Sequence, residues 1–405
     1  MSIIGSNVSY DFVIIGAGIV GLTVANEIKK RYVSAKIAIM DKENTIGVHA
    51  SGRNSGVLHS GIYYAADTLK AQVCARGAAS LAAFAREHNI PYMQSGKVIL
   101  ATSEQQLDTV ERLMKNAHAN NIKAKLIDNM ELNELEPAAA SSVAAIYCPD
   151  TAVIDSMAVL KKLQFLLETQ GVDFYFNCHV EGRLTSDKLK TNHGIFSFGF
   201  LFNCAGAYAD KIANSWGLAL DYVLVPFKGM YWKLSSDASD LVRSNIYPVP
   251  DVSLPFLGVH LTRVITGDVY VGPTAIPVLG RENYHKLQGT NFKEACGISW
   301  QLMSMYINNK NNFRLLAKTE MAKYSKRAFL AAAKKLVPRL ESKDLVFTAK
   351  AGIRPQLINT KTKKLEMDYV LQRTDNSLHV LNAISPAFTS SFAFAAIIVD
   401  KVGLI

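Results

Sequence analysis

The sequence predicts a mixed α/β fold, α+β overall, in which a unit with a parallel sheet is interleaved with a unit built on an antiparallel sheet. Three observations support this prediction. The chain opens with an apolar run, a helical segment and a second apolar run, which is the βαβ start of a parallel sheet. After Tyr222, short aromatic-rich segments such as VLVPFKGMYWKLS and DVYVGPTA are typical of antiparallel strands. From Ser377 a strand-then-helix pattern returns, so the end of the chain completes the first unit.

The individual elements follow from apolar periodicity and from the residues that interrupt it. The predicted strands cover residues 10–15, 36–40, 96–102, 123–127, 172–177, 196–203 and 377–383. The predicted helices cover residues 19–31, 68–88, 105–120, 156–170 and 387–399, with a longer helical region at 291–340. These elements predict two discontinuous domains. Residues 1–95, 150–220 and 345–405 form one domain, and residues 96–149 and 221–344 form the other.

Length and composition restrict the class of protein. At 405 residues the chain exceeds what one hydrophobic core usually serves. Its 49% apolar and 19% charged residues are typical of a globular protein and exclude a disordered or fibrous one. The apolar run 12–25 is too short to span a bilayer, and no basic segment typical of a secretory signal precedes it. The five cysteines include no CxxC pair, so we expect reduced, mostly buried thiols.

The net charge of +10 is distributed unevenly along the chain. Residues 310–339 are rich in Lys and Arg, with Glu320 as their one acid. The segment RAFLAAAKKLV is amphipathic, which fits either a solvated helix face or a helix at an anionic membrane surface. Nucleic acid is not expected as a partner, because aromatic residues are not interleaved with these charges. We therefore expect a cytoplasmic protein, either free in solution or peripheral on the inner membrane.

A glycine-rich turn between the first strand and the first helix predicts a dinucleotide site. Residues Gly16-Ala-Gly-Ile-Val-Gly21 match GxGxxG, and Asp41 ends the second strand about 20 residues later, where an acid binds ribose hydroxyls. Gly16 permits the tight turn, Gly18 lets the backbone approach a pyrophosphate, and Gly21 lets helix and strand pack closely. The motif alone fits FAD or NAD. Its N-terminal position and the segment Asn203-Cys-Ala-Gly206 after a later strand favour FAD.

The stretch HASGRNSGVLHSGIYY, residues 49–64, follows the second strand and has neither helical nor strand periodicity. Its glycines and its Ser and Asn side chains suit a loop that wraps a dinucleotide beyond the pyrophosphate. We expect its distal half, residues 59–64, to face the reacting ring.

Segments spread over nearly the whole chain resemble one superfamily of flavoenzymes. They are SGRNSGVLHSGIYY (51–64), PFLGVHLTR (255–263), VGPTAIPVLGRENY (271–284), AGIRPQ (351–356) and NAISPAFTSS (382–391). The set is similar to the FAD-dependent superfamily that includes glycine, sarcosine and D-amino-acid oxidases. Within that superfamily it resembles the L-2-hydroxyglutarate dehydrogenase/oxidase family. Two departures lie near the expected flavin: Ala387 stands where relatives often have glycine, and the segment between Val180 and Asn203 is short and irregular.

The resemblance implies that the first unit is a Rossmann-like FAD-binding domain and that the interleaved unit is a substrate domain. It also implies oxidation of L-2-hydroxyglutarate, or a close L-2-hydroxy acid, to 2-oxoglutarate by hydride transfer to flavin N5. The expected partners are a small 2-hydroxy dicarboxylate and an electron acceptor, either a quinone or oxygen.

The expected FAD contacts come from the glycine-rich turn, the end of the second strand, the loop 49–64 and three later segments. They are Gly16, Gly18, Gly21, Asp41, Lys42, Ser51, Arg53, Asn54, Ser55, Gly56, Val180, Ala205, Gly206, Ser385, Thr389 and Ser390. Noncovalent FAD is expected. The alternative is a covalent link through His49, because His49-Ala-Ser-Gly52 resembles the His-Ala-x-Gly setting in which some superfamily members attach the flavin. No metal ion is expected.

Two histidines are candidate proton acceptors, because a general base works best with a pKa near neutral. His260, in the segment GVHLTR, is predicted as the catalytic base; another substrate contact and a core histidine are the alternatives. His59 is predicted as an active-site contact, with a loop-tying hydrogen bond as the alternative.

Arg354, in AGIRPQ, is predicted to bind the substrate carboxylate, because a guanidinium fork forms two parallel hydrogen bonds to a carboxylate. The alternative is an interdomain salt bridge. A dicarboxylate needs a second cation, for which Lys228, Arg53 and Arg263 are candidates that the sequence does not rank. The predicted hydroxyl donors to the substrate are Tyr63, Tyr64 and Tyr231.

Two other functions compete with this hypothesis. An amino-acid or sarcosine-type oxidase of the same superfamily would reduce its flavin with an amine substrate. A flavoprotein that binds RNA would use the positive charge, but that charge lies mainly in one helical region and not along a groove.

Overall fold

The N-terminal βαβ unit forms the centre of an eight-stranded sheet. The computed structural model describes residues 8–251, 254–285 and 288–403; the remaining parts of the predicted domains lie outside the described residues. Val8–Ile15 pairs in parallel with Ile37–Met40 and with Gly194–Asn203. All four residues of Ile37–Met40 are buried, which explains their continuous apolar pattern. The further strands of this sheet are Asp173–Tyr175, Val180–Arg183, Lys188–Thr191, Leu371–Arg373 and Ser377–Val380.

Four helices pack against this sheet and share one apolar core with it. They are Ile19–Arg31, Leu69–Glu87, Ser156–Thr169 and Ala387–Asp400. Two of them begin where the sequence supplies a polar cap. Thr68 accepts a hydrogen bond from the backbone N–H of Ala71, and Asp155 accepts one from Ala158. The predicted helix bounds agree with the structure to within one or two residues, because caps and apolar periodicity coincide there.

A ten-stranded sheet is built around one long antiparallel pair, Tyr222–Leu234 with Leu345–Asn359. One of its contacts is parallel, between Asn245–Pro248 and Lys97–Ala101, and it joins residues 96–149 to the later strands. The other strands are Lys125–Ile127, Ala144–Cys148, His260–Arg263, Val269–Gly272, Ile276–Pro277 and Lys364–Leu365.

A small three-stranded sheet and the remaining helices complete the described fold. The small sheet contains Val57–Leu58, Tyr92–Met93 and Ala152–Ile154. The remaining α-helices are Leu107–Ala119, Asn129–Leu135, Ala209–Asn214, Ser236–Ser239, Phe292–Asn308, Phe313–Ala322 and Lys326–Lys334. None of the helices in the described ranges combines the length and the apolar character that a membrane span requires.

The strand Leu345–Asn359 differs from the sequence-based assignment. The sequence places residues 345–405 in the FAD-binding domain, whereas this 15-residue strand pairs along its length with Tyr222–Leu234 in the other sheet. Its partner lies more than 100 residues earlier, so local periodicity does not reveal the pairing. The division into two domains stays a prediction.

Candidate functional site

A cavity of about 630 Å³ is lined by residues from both large sheets and from the loop 49–64. The eight-stranded sheet contributes the glycine-rich turn and the ends of neighbouring strands. The ten-stranded sheet contributes Phe227, Tyr231, His260 and Arg354. Cofactor sites of about 300–1,000 Å³ are usual in proteins, so this cavity is large enough for a dinucleotide ligand.

The glycine-rich turn is packed too closely for side chains. Gly16 has φ of +107°, and a Cβ atom there would lie 2.4 Å from the carbonyl oxygen of Cys204. A Cβ atom at Gly21 would lie 2.0 Å from the carbonyl oxygen of Gly16. Both positions therefore require glycine. The turn brings the N-terminus of the helix Ile19–Arg31 to the cavity, where backbone N–H groups favour an anionic group such as a pyrophosphate.

Two polar side chains hold this turn in place. The carboxylate of Asp41 accepts hydrogen bonds from the backbone N–H groups of Ala17, at 2.7 Å, and Glu43, at 2.9 Å. The hydroxyl of Ser51 accepts one from Ile19 at 2.9 Å. Asp41 also lines the cavity at the end of the second strand, which is the place of a ribose-binding acid. The close-packed turn, the helix N-terminus and this acid together fit FAD.

Most of the predicted FAD contacts line the cavity. These are Gly16, Gly18, Asp41, Lys42, Ser51, Arg53, Asn54, Ser55, Val180, Ala205, Gly206, Ser385 and Thr389.

Three of the predicted contacts do not line the cavity, and each has a structural explanation. Gly21 packs against Gly16. Gly56 has φ of +71° and faces the carbonyl oxygen of Ile154. The Ser390 hydroxyl hydrogen-bonds the Tyr369 hydroxyl at 2.6 Å. Gly21, Gly56 and Ser390 therefore support the walls of the site.

His49 lines the cavity with both ring nitrogens engaged. Its Nε2 donates to the carboxylate of Glu43 at 2.9 Å, and its Nδ1 lies 2.9 Å from the hydroxyl of Tyr284. The nearby Lys42 ammonium pairs with Glu43 and, at 2.6 Å, with Glu282. The Lys42 ammonium group thus pairs with both carboxylates that surround His49. Noncovalent FAD stays the prediction.

His260 also lines the cavity, with a defined tautomer. Its Nδ1 donates to the carbonyl oxygen of Gly258 at 2.9 Å, which leaves Nε2 with a free lone pair. Its ring stacks on that of Tyr247, with centroids 3.9 Å apart. Burial lowers the pKa of His260 to about 4, with a smaller effect in the same direction from the charges of Lys97 and Arg354. His260 is therefore a neutral acceptor at pH 7.

His59 lines the same cavity, and its backbone N–H donates to the hydroxyl of Thr389 at 3.3 Å. Burial lowers the pKa of His59 to about 3, and the charges of Lys97, His260 and Arg354 lower it further. Two neutral imidazoles thus face one cavity beside a guanidinium.

Arg354 presents its guanidinium without an acidic partner. It stands opposite Phe227 in the long strand pair and lines the cavity, 4.9 Å from the ring of Phe256. Within the described ranges no carboxylate forms an ion pair with it, which argues against the interdomain salt bridge. The hydroxyl of Tyr231 faces the same cavity, and burial raises its pKa to about 12, so it stays a hydrogen-bond donor.

Three of the predicted substrate contacts do not line the cavity: Lys228, Tyr63 and Tyr64. Side chains alternate along a strand, so Phe227 and Tyr231 face the cavity while Lys228 faces away from it. The rings of Tyr63 and Tyr64 lie instead against the ammonium groups of Lys97, at 4.6 Å, and Lys70, at 5.6 Å.

The other candidates for a second cation are engaged elsewhere. Arg263 donates to the carbonyl oxygens of Ser239 and Val242, at 3.1 and 2.9 Å. Arg53 lines the cavity, but it donates to Val48 at 2.8 Å and lies over the ring of Tyr284 at 4.1 Å. Of the three candidates for a second cation, Arg53 is thus the one that lines the cavity, with its Nε atom engaged by Val48.

The sequence did not predict Tyr247, Phe256 and Tyr284 as wall residues of the cavity. Phe256 and Tyr284 belong to quoted segments but carried no expected role. Tyr247 belongs to the strand Asn245–Pro248, whose four residues are too few to show a clear alternation of apolar and polar residues.

Comparison with known proteins identifies the family. The family model described as FAD dependent oxidoreductase (DAO) matches residues 11–401. The L-2-hydroxyglutarate dehydrogenase of Indibacter alkaliphilus is 37% identical over 96% of this chain and 98% of its own. The enzyme of the same name from Escherichia coli K12 is 34% identical over 97% of this chain and 93% of its own.

A solved structure agrees with the fold. L-α-glycerophosphate oxidase from Mycoplasma pneumoniae with FAD bound superposes with a TM-score of 0.75 over 98% of this chain and 95% of its own, at 20% identity. Together with the glycine-rich turn and the cavity, these matches show that the chain belongs to the FAD-dependent oxidoreductase family, in the branch that contains the L-2-hydroxyglutarate dehydrogenases.

Proposed function

We propose that the protein oxidises L-2-hydroxyglutarate to 2-oxoglutarate with FAD as its cofactor. The observation that supports this most directly is one cavity that joins the dinucleotide turn to a guanidinium without an acid and to a neutral histidine. The relatives named L-2-hydroxyglutarate dehydrogenase support the choice of substrate.

Different side chains bind the substrate and accept its proton. Arg354 binds the C1 carboxylate through its two-pronged fork, and the Tyr231 hydroxyl donates a further hydrogen bond. His260 Nε2 takes the proton of the C2 hydroxyl as the C2 hydride leaves. FAD, when bound, supplies the acceptor of that hydride at its N5 atom. Stacking on Tyr247 and the hydrogen bond to Gly258 hold the imidazole in the required orientation.

Anaerobic reduction of the flavin tests this function. Loss of the oxidised flavin absorbance is expected with L-2-hydroxyglutarate, and 2-oxoglutarate should form in equal amount. The D-enantiomer, glycine and sarcosine serve as controls. Bleaching by glycine or sarcosine and not by L-2-hydroxyglutarate would favour the amino-acid or sarcosine-type oxidase instead.

An exposed apolar stripe supports a membrane location and a quinone as the electron acceptor. Phe292, Cys296, Trp300, Met303 and Ile307 recur at helical spacing along Phe292–Asn308, and all five are exposed. Phe292 is 86% exposed, Trp300 70% and Ile307 63%. Large contiguous apolar surface is rarely left in water.

Basic residues that follow this helix provide charge complementarity to anionic lipid. Lys310, Arg314 and Lys318 follow the apolar stripe directly in sequence and are exposed. The proposed occupant of this surface is therefore an anionic bilayer. A quinone dissolved in that bilayer would then accept the electrons.

Replacing Trp300 and Ile307 together by aspartate is expected to weaken binding to anionic vesicles about 100-fold. The reason is that the bilayer then no longer takes up two large apolar side chains from water. Co-sedimentation with phosphatidylglycerol vesicles measures this, while dye-coupled activity should stay unchanged. Leu220→Asp, at a residue 71% exposed elsewhere, is the matched control. A wild-type protein that stays in the supernatant would contradict the membrane contact, and self-association abolished by the same substitutions would assign the surface to a second copy.

A further inference from the structure

Lys97 is a fully buried lysine without a counter-ion. Its side chain is 0% exposed, and its Nζ atom has no hydrogen-bond partner in the described part of the chain. Burial lowers its pKa. An isolated ammonium group inside a protein is strongly unfavourable, so it calls for an explanation in terms of an absent partner.

The position of Lys97 places its charge directly behind the wall of the candidate active site. It begins the strand Lys97–Ala101, between Cys148 and Asn245 on the two neighbouring strands. Its Nζ lies 5.3 Å from the ring centroid of Tyr247, and that ring stacks on His260. One aromatic ring thus separates the ammonium group from the predicted base.

Other polar atoms near Lys97 are also buried and unsatisfied. The hydroxyl of Tyr63 has no hydrogen-bond partner among the described residues, and Nζ of Lys97 lies 4.6 Å from the centroid of its ring. The side-chain oxygen of Asn245, directly opposite Lys97 in the sheet, is unsatisfied as well. A donor hydroxyl beside an ammonium group is a suitable environment for a carboxylate.

The charges around this end of the cavity are one-sided. The cations Lys97 and Arg354 both lower the pKa of His59 and of His260, and the acid that acts on Arg354, Glu320, is paired with Lys323. Lys70, also buried, differs because Asp368 lies beside it and accepts the backbone N–H groups of Leu69 and Lys70. Of the three buried lysines in the described ranges, Lys29 donates to backbone carbonyl oxygens and Lys70 lies beside Asp368, whereas Lys97 has no such partner.

We propose that Lys97 supplies the second positive charge of the substrate site and thereby selects a 2-hydroxy acid that carries a second carboxylate. This inference rests on the proposed function, in which Arg354 holds the C1 carboxylate. The second carboxylate lies on the Tyr247 side of the cavity, with the Lys97 ammonium group behind that ring. Lys97 is thus a specificity-determining residue and not a base.

Lys97→Met tests the inference, because methionine keeps much of the length of the side chain and removes its charge. The KM for L-2-hydroxyglutarate is expected to rise about 10- to 100-fold, because a buried positive charge still attracts a carboxylate across one aromatic ring. The KM for L-2-hydroxybutyrate, which lacks the second carboxylate, should change less than about 2-fold by the same argument. Calorimetry with the oxidised holoenzyme provides a readout without turnover: glutarate binding should weaken by the same factor, and butyrate binding should not.

Lys228→Met is the matched control, because Lys228 lies on the same sheet but faces away from the cavity, and it should leave both KM values unchanged. Lys97→Gln is a second variant, which keeps a polar side chain without the charge; it is expected to weaken glutarate binding and to spare butyrate, and it decides the question if Lys97→Met does not fold. Equal losses for both acids, or a selective loss in Lys70→Met alone, would overturn the role of Lys97. A wild-type enzyme that leaves L-2-hydroxyglutarate unoxidised would reject the proposed function, whereas an active wild type with unchanged selectivity in Lys97→Met rejects Lys97 alone.

Discussion

Replacement of Arg354 by methionine is expected to lower kcat/KM for L-2-hydroxyglutarate about 1,000-fold, because a bound carboxylate would lose its two charge-assisted hydrogen bonds in a buried site. The guanidinium lines the cavity, and the part of the chain that the structure describes offers it no carboxylate. Its fork is therefore available to the substrate. Steady-state kinetics at saturating acceptor measures the loss, and it should appear mainly as a raised KM.

Arg354→Lys distinguishes geometry from charge. Lysine keeps the positive charge but is a single point donor, so it should restore only a small part of the lost affinity. Arg263→Met is a control, because Arg263 caps the carbonyl oxygens of Ser239 and Val242 and should affect the melting temperature more than the KM. The predicted role of Arg354 would be rejected if Arg354→Met retained both its flavin and an unchanged KM.

Replacement of His260 by alanine is expected to slow reduction of the flavin by about 100- to 10,000-fold, which is the usual contribution of a positioned general base. Substrate affinity should change far less, because Arg354 still holds the carboxylate. Anaerobic stopped-flow absorbance of the flavin measures the reductive step directly. His59→Ala provides the comparison, since both imidazoles face the cavity.

The pH dependence of the same step follows from the direction of the pKa shift. Burial lowers the pKa of His260 to about 4, so the imidazole loses its proton at a lower pH than a free histidine. The base form is present above that pH and is lost as the pH falls through it. We therefore expect kcat/KM to stay level from pH 8 to about 5 and to fall below that. Unchanged reduction in His260→Ala would remove His260 as the base, and a loss confined to His59→Ala would transfer the role to His59.

The dinucleotide site is the part of the molecule that the sequence predicted in most detail. Gly16, Gly18 and Asp41 lie in one continuous strand–turn–helix–strand segment, so their spacing along the chain already defines their spacing in space. The structure adds why substitution is not tolerated there: at Gly16 a Cβ atom would collide with Cys204, which directly follows the distant strand Gly194–Asn203.

The substrate end was predicted less completely. Tyr63 and Tyr64 were expected to face the substrate because they follow His59 in the loop, yet their rings lie against Lys97 and Lys70. The sequence gives one signal for Lys97, because it is a charged residue at the start of the apolar strand segment GKVILA. That signal does not state what the charge faces, because its surroundings come from strands at residues 144–148 and 245–248.

The sequence by itself determined the α/β class, the βαβ unit, the dinucleotide turn and the residue types of the reaction, because these depend on local periodicity and on motifs of a few residues. Only the tertiary structure decided which of those residues share the cavity. It brought His260 and Arg354 to the loop 49–64, turned Lys228 away from the cavity and left Lys97 buried behind Tyr247. The physical reason is that strand pairing over long sequence separations fixes the side-chain alternation and the neighbours of each strand, and neither is encoded in local sequence.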